Sequence, residues 1–421
     1  LRGRSCEPSV LTRQPPLVIG RTWLFLALAG AVLGSACQGA PGLDDSLDDP
    51  AGWRVAAGEY QIRLGEPRFV VPSAALPPQV MCQAANNNVD IIFHAGRLFL
   101  AWRSAPNHFA SELAEMWVVS SADHGNRWDF ESRIALGTDV REPRFLSIGG
   151  ELQLLFFEAG TDPLRFEPRA LRRCFRRGDF SWTEPEVWHL PGEERPVVPW
   201  DVKVRGNTAW LTGYAGPHYG GGEDALDVLF YRSRDGRDWQ PVGAQGSVYR
   251  GGVSEVAFEF ANDGSLHAVG RNEDGDESGF GSQLFWSGAA LPGEWNHLSH
   301  SDPERYDSPE LFAHGADLYL AARRDVGGPF GPDGDLVAYS LRPKRSTLYR
   351  LNTAERRVEH LQDIPGAGDT AFCAVRRTGR DRFLLANYTS PLDAPDVSWL
   401  EAQTSPRGTS IYLMDVELLA Q

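Results

Sequence analysis

Read for its apolar and polar positions, the chain shows one unit six times: a polar opening, an apolar strand, a glycine-containing turn and a second apolar strand. The units are NNNVDIIFHAGRLFLAWRSA with Asp90, DVREPRFLSIGGELQLLFFEAG with Glu142, PWDVKVRGNTAWLTGYAG with Asp201, SEVAFEFANDGSLHAVGRNEDG with Glu255, YDSPELFAHGADLYLAARRD with Asp307 and GDTAFCAVRRTGRDRFLLANY with Asp369. Those six acids are separated by 52, 59, 54, 52 and 62 residues, a period that marks a repeat architecture. A further strand pair comes after each of the first five units, as in MWVVSSADHGNRWDF and DVLFYRSRDGRDWQPVG, which predicts four strands per unit. The last unit offers one further strand, TSIYLMDVEL, so EYQIRLG near residue 60, or the segment after it, is expected to supply the missing strand. The pattern predicts an all-β chain with one six-bladed β-propeller domain over residues 52–421.

Composition agrees: glycine (44) and proline (29) are abundant, and helical periodicity is hard to find. The first stretch stands apart. Arg2, Arg4, Arg13 and Arg21 precede the apolar run TWLFLALAGAVLGSAC, the layout of a secretory signal. Gly34-Ser35-Ala36 before Cys37 resembles a bacterial lipoprotein cleavage box. Residues 1–36 are therefore expected to be a signal peptide, Cys37 the lipidated residue and 37–51 a flexible tether; ordinary secretion and an uncleaved anchor are the alternatives. The expected location is the bacterial cell envelope, lipid-anchored or secreted, with membrane contact through Cys37 alone.

Removing residues 1–36 takes four arginines and Glu7, and moves the formal charge from −15 to −18. Such acidity speaks against nucleic acid as a partner. Cys82, Cys174 and Cys373 are far apart, which makes a zinc site unexpected and leaves room for at most one disulfide. RNEDGDESGFG is rich in oxygen ligands but lacks EF-hand spacing. G-x-S-x-G, H-E-x-x-H and dinucleotide fingerprints are missing, so neither cofactor nor metal is expected. HYGGGED, residues 218–224, lacks the lysine of a phosphate-binding loop and reads as a lip over the site.

Two short motifs carry a family resemblance. SADHGNRW (Ser121, Asp123, Gly125, Trp128) resembles the Asp-box S-x-D-x-G-x-x-W, and SRDGRDW (Ser233, Asp235, Gly236, Trp239) is one residue shorter. The likeness is to the sialidase superfamily and its BNR-repeat relatives. It implies turns between third and fourth strands in which Asp and Ser oxygens satisfy amides, Gly takes a positive φ and Trp packs between blades. The hairpin from Ser254 to Asn272 resembles the fourth-blade hairpin of sialidases, where a Glu opens one strand and an Arg closes the next. By that resemblance Glu255 tunes a nucleophile and Arg271 is one of three arginines on a substrate carboxylate, a task suited to bidentate guanidinium groups. Phe372 stands where sialidases carry the nucleophilic tyrosine, and NNNVDII replaces the first-blade Y-R-I-P motif. The resemblance covers the fold and stops short of a sialidase nucleophile.

Innermost propeller strands converge on the channel, so the unit starts are expected to crowd one rim. Asp90, Glu142, Asp201, Glu255, Asp307 and Asp369 would form it, with Arg103, Glu158, Tyr214, Arg271, Arg323 or Arg324, and Tyr388 just outside. Crowded acids raise one another's pKa, which suits a general acid beside an ionised partner. One mechanism brings Tyr306 or Tyr388 near Glu255. The other pairs a base among Asp90, Asp201 and Asp369 with a Glu or Asp acid, and its residues are all present; five-bladed furanosidases are similar in placing acids at strand starts. The expectation is an exo-acting glycoside hydrolase on a terminal sugar. Its catalytic candidates are Glu255, Asp90, Asp201, Asp307 and Asp369, and its substrate-binding candidates are Arg103, Glu142, Tyr214, Arg271, Arg323 and Tyr388. The competing reading is a non-catalytic propeller that binds glycan or protein, its rim charges serving as struts between blades.

Overall fold

In the hairpin of Ser254–Phe260 and Leu266–Arg271, the Asp263 carboxylate accepts the Ser265 N–H at 2.9 Å and Gly264 takes φ +81° to complete the turn. Alternate side chains then leave the strand on opposite faces. Val256 and Phe258 pack with Val228 and Phe230 of the preceding sheet, while Ala257 and Val269 pack on the side of Leu311 and Ala313 of the next one. Both faces are covered, which is why these strands read as apolar runs.

The computed structural model describes residues 59–178, 180–219, 225–329 and 334–421. The expected leader, Cys37, the expected tether and residues 52–58 lie outside them, as do residues 220–224 of the expected lip. Six antiparallel sheets succeed one another as the blades of a six-bladed β-propeller. Blade I holds Ala85–His94, Arg97–Ala105, Glu115–Ser121 and Asp129–Ile134. Blade II holds Asp139–Ile148, Glu151–Ala159 and Pro168–Gly178, with Ser181–Trp182 and Glu186–Trp188 on its outer edge. Blade III holds Val198–Arg205, Thr208–Ala215 and Leu226–Ser233, edged by Trp239–Pro241 and Ser247–Gly251. Blade IV adds Ser282–Ser287 and Asn296–His297 to the hairpin above, and blade V holds Asp307–His314, Asp317–Asp325, Lys344–Asn352 and Arg357–Ile364. Blade VI joins Ala371–Gly379, Arg382–Thr389 and Ser410–Ala420 to the N-terminal strands Tyr60–Leu64 and Arg68–Val71. Tyr60 pairs with Ala420 and Leu64 with Val416, so the ring closes on the strand expected near residue 60 and on the segment after it.

Apolar layers between blades hold the ring together. Phe99 and Val118 meet Phe145 and Phe156 between blades I and II; Phe312 and Leu348 meet Leu385 and Met414 between V and VI. The two serine–aspartate turns are built as local scaffolds. Asp123 accepts the Asn126 and Arg127 N–H groups and Asp235 those of Arg237 and Asp238, while Trp128 and Trp239 are buried. Cys82, Cys174 and Cys373 are free thiols. The strand pattern missed two short helices, Leu336–Ser340 and Trp399–Thr404, capped by Asp335 and Ser398 and joined where the Trp399 N–H meets the Arg342 carbonyl at 3.1 Å.

Candidate active site

Each innermost strand carries a bulge against its neighbour, and the residues that bulge are Asn88, Glu142, Trp200, Glu255, Ser308 and Phe372. Five of the six take positive φ, between +48° and +63°; Trp200 does not. Left-handed backbone at a side-chain-bearing residue costs about 1–2 kcal/mol, and bulges re-aim side chains at functional rims. Glu142 and Glu255 are therefore the two acids of the ring that the fold places at equivalent positions.

Glu255 and Arg271, at the two ends of their hairpin, form an ion pair at 3.0 Å. From there a chain of alternating charges runs across blades IV and V. Arg271 lies 3.1 Å from Glu273, Glu273 pairs with Arg305, Arg305 lies 2.8 Å from Asp307, and Asp307 lies 3.0 Å from Arg323 and bonds the Tyr339 hydroxyl. Burial would raise both carboxyls, but Arg271 and Arg305 hold Glu273 well below the carboxylate range, and Arg305 and Arg323 lower Asp307. Arg323 also stacks on Trp399 at 4.4 Å. A second group lies beside blade I, where Asp139 bridges Arg103 and Arg141 at 2.7 Å each. His108 Nδ1 meets Asp369 at 2.8 Å, and the Tyr388 hydroxyl donates to Asp369 at 3.2 Å.

Glu142 differs from the other acids. Three other acids of the innermost strands act as struts to the next blade: Asp90 accepts the Phe145 N–H, Asp201 the Phe258 N–H and Glu255 the Ser308 N–H. Glu142 is buried, and its Oε2 has no hydrogen-bond partner among the described residues. Burial, with the Glu255 charge added, pushes its carboxyl up to about 8 against the pull of Arg144, Arg141 and Arg271. Glu255 is raised too, by burial first, but Arg271 favours its ionised form. Tyr214 is buried nearby and raised well above the usual phenol range by burial, Glu142 and Glu255. His218 and Tyr219 stack at 3.8 Å over this side of the rim, with Tyr219 donating to Glu273 and Phe166 5.2 Å from His218.

Several expected rim residues lie elsewhere. Asp90 and Asp201 fall one or two residues past their bulges and belong to a deeper layer, Asp90 3.1 Å from Arg376 and Asp201 2.7 Å from Lys203, with Glu310 between. That layer borders a cavity of about 60 Å³ lined by Lys203, Arg205, Glu259, Glu310, Arg376 and Arg377. Arg144 separates the layers, its guanidinium 4.9 Å from the Trp200 ring and 4.3 Å from the Phe372 ring. Arg103 cannot grip a sugar: it is fully buried and all five of its N–H groups are engaged, by Asp139, Asn87 and the Asn107 and Phe109 carbonyls. Tyr306 bonds Asp302 instead of approaching Glu255, Arg324 pairs with Asp363, and Glu158 pairs with Arg172. In RNEDGDESGFG three of the acids are used by the protein, Glu273 by Arg271 and Arg305, Asp274 by His218, and Asp276 by Tyr249, Asn272 and Ser278.

His108, Glu273, Arg305, Tyr339 and Trp399 escaped the repeat pattern. Glu273 stands two past Arg271 and Arg305 two before Asp307, a spacing that puts each pair on one side of an extended chain. His108 and the two helices sit in connections that carry no periodic signal.

Neither a family model nor a curated protein matches this sequence. Solved structures do resemble the fold. A Dyadobacter fermentans protein of unknown function superposes with TM-score 0.58 at 12% identity, over 85% of this chain and 99% of that one. A Trypanosoma rangeli sialidase in complex with sialic acid gives 0.52 at 16% identity, over 80% of this chain, which spans about half (54%) of the sialidase. The phage phi92 endosialidase gives 0.54 at 11% identity, over 86% and 70%. At such identities the likeness shows a sialidase-like propeller fold.

Proposed function

We propose that the bulge rim is the site of a glycoside hydrolase acting on a terminal sugar. The observation that carries this reading is Glu142, a buried carboxyl raised to about 8 beside Glu255, which Arg271 pairs at 3.0 Å. A carboxyl held protonated beside a carboxylate that an arginine pairs can divide the labour of glycoside cleavage. Glu142 is neutral at pH 7 and donates its proton to the leaving oxygen. Glu255 faces the positive charge that develops on the sugar ring and takes a proton from the water that adds to the anomeric carbon. Tyr214 and Tyr388 flank the sugar, and Phe372 stands where the resemblance to sialidases leads one to expect the nucleophilic tyrosine. The signal-like segment before Cys37 supports a lipid-anchored envelope protein.

A second reading, a propeller that binds glycan without cleaving it, is favoured by the chain from Glu255 to Arg323, in which every carboxylate already has a cationic partner. Hydrolysis of a broad panel of chromogenic glycosides, with Glu255→Gln alongside, separates the two. Turnover that falls at least ~100-fold in the variant supports the enzyme. Binding without turnover on any member supports the second reading.

A further inference from the structure

The arginines that make the rim look suited to an acidic sugar are already neutralised. Arg271, Arg305, Arg323, Arg103 and Arg141 are paired with Glu255, Glu273, Asp307 and Asp139, and Asp369, bonded to His108, adds a fifth carboxylate near Arg323 and Arg103. Bidentate recognition of a substrate carboxylate needs two parallel N–H groups on one edge of a guanidinium. In all five arginines the edge formed by Nε and Nη2 is occupied. Arg271 bonds Ser254, His218 and Glu255 there; Arg305 bonds Asp307 and Glu273; Arg323 bonds Tyr339 and Asp307; Arg141 bonds Asp139 and the His108 carbonyl; Arg103 bonds Asp139 and the Phe109 carbonyl. The outer edge of Arg271 is taken as well, by Glu273 and Glu255.

Arg144 has no ion pair among the described residues, but it is buried in the plug between the Trp200 and Phe372 rings and its charge is shared by Glu142, Asp90 and Glu310. A carboxylate brought into the rim therefore meets Glu255 and Asp369 and loses its hydration for little charged contact in return. Hydroxyl groups do not face that penalty. Glu142 Oε2 is unpaired among the described residues, Tyr214 lies near it, and the Tyr388 hydroxyl, which donates to Asp369, keeps a lone pair to accept a sugar O–H. We infer that this site takes a sugar bearing no carboxylate, an uncharged polyhydroxylated pyranose or furanose, in contrast to the sialic acid of the trypanosome sialidase complex. This rests on the glycosidase reading above and narrows its substrate class.

The test uses the full chain and a panel of neutral glycosides, each paired with the uronide that differs in one CH2OH-to-carboxylate exchange, with sialosides added. Turnover and saturation-transfer NMR are read in parallel. The expected result is binding and kcat/KM at least ~10-fold better for the neutral member, a difference of ~1.4 kcal/mol. Equal or better use of a uronide or sialoside overturns the inference while leaving the glycosidase reading intact. Neutral preference in binding with no turnover overturns that reading and keeps the inference. No binding by any member overturns both. Glu273→Gln, which removes the carboxylate between Arg271 and Arg305, is expected to raise relative uronide binding ~10-fold. Asp139→Asn makes the same test beside Arg103 and Arg141 if the first variant does not fold by circular dichroism. A folded variant with no gain contradicts the inference.

Discussion

At Glu142 three effects compete: burial strips water from the carboxyl, Glu255 repels its charge, and Arg144, Arg141 and Arg271 attract it, with the first two ahead. The proton is therefore held in the folded protein over a range in which the unfolded chain, with its ordinary carboxyl near 4.5, has released it. Stability from this group is complete below the unfolded value and is lost as pH rises through about 8. Thermal melts from pH 5 to 9 are expected to show a decline in Tm for the native protein that is shallower in Glu142→Gln. Parallel declines would contradict a proton held at Glu142. Glu255 and Arg271 stood out from their positions at the ends of one hairpin, though Arg271 was expected on a substrate carboxylate and is found on Glu255; the pairing of Asp307 with Arg323 was legible as an alternative. The proton on Glu142 was not, because it depends on burial and on neighbours from other blades. His108 and Arg103 make the same point in opposite directions: a loop histidine gains a carboxylate partner, and a conspicuous arginine is consumed by one.

The bulges decide which acids share a face. Counting from the polar opening of each unit puts Asp90 and Asp201 on the rim, but an extra residue in the ladder displaces every later residue of the strand, and a one-residue slip exchanges its two faces. Repeat length and strand number were legible because they depend on alternating apolar runs and glycine turns. Bulge positions depend on pairing with the neighbouring strand, which a linear pattern does not record. The closing strand was legible by arithmetic, since one unit lacked a partner. Ile62 and Leu64 pack at the edge of the layer between blades V and VI, so deleting residues through Gly65 uncovers part of Ser410–Ala420. The expected outcome is a fall in Tm of about 5 °C or more and a tendency to dimerise through the bared edge, read by calorimetry and light scattering. An unchanged melt would mean that Arg68–Val71 closes the ring by itself.

Across the molecule, Arg144, Trp200 and Phe372 form a plug that divides the channel into two charged layers. The upper layer holds Glu142 and Glu255, and the deeper one holds Asp90, Asp201 and Glu310, whose carboxyl burial pushes up to about 7. The proposed chemistry on a sugar belongs to the upper layer because Glu142 Oε2, unpaired among the described residues, lies there. The proposed leader carries a separate expectation: Cys37→Ser in the full chain should move the protein from the membrane fraction to the soluble fraction of a bacterial host, and an unchanged distribution would contradict lipidation. Catalysis at the rim stands or falls with proton donation by Glu142. The most direct measurement compares Glu142→Gln with the native protein on two glycosides of the same sugar, one with a dinitrophenyl leaving group that departs without a proton and one with an alkyl group that needs it. Proton donation requires a loss of at least ~100-fold on the alkyl glycoside and less than ~10-fold on the dinitrophenyl one. Equal losses on both, or none on either, would contradict it.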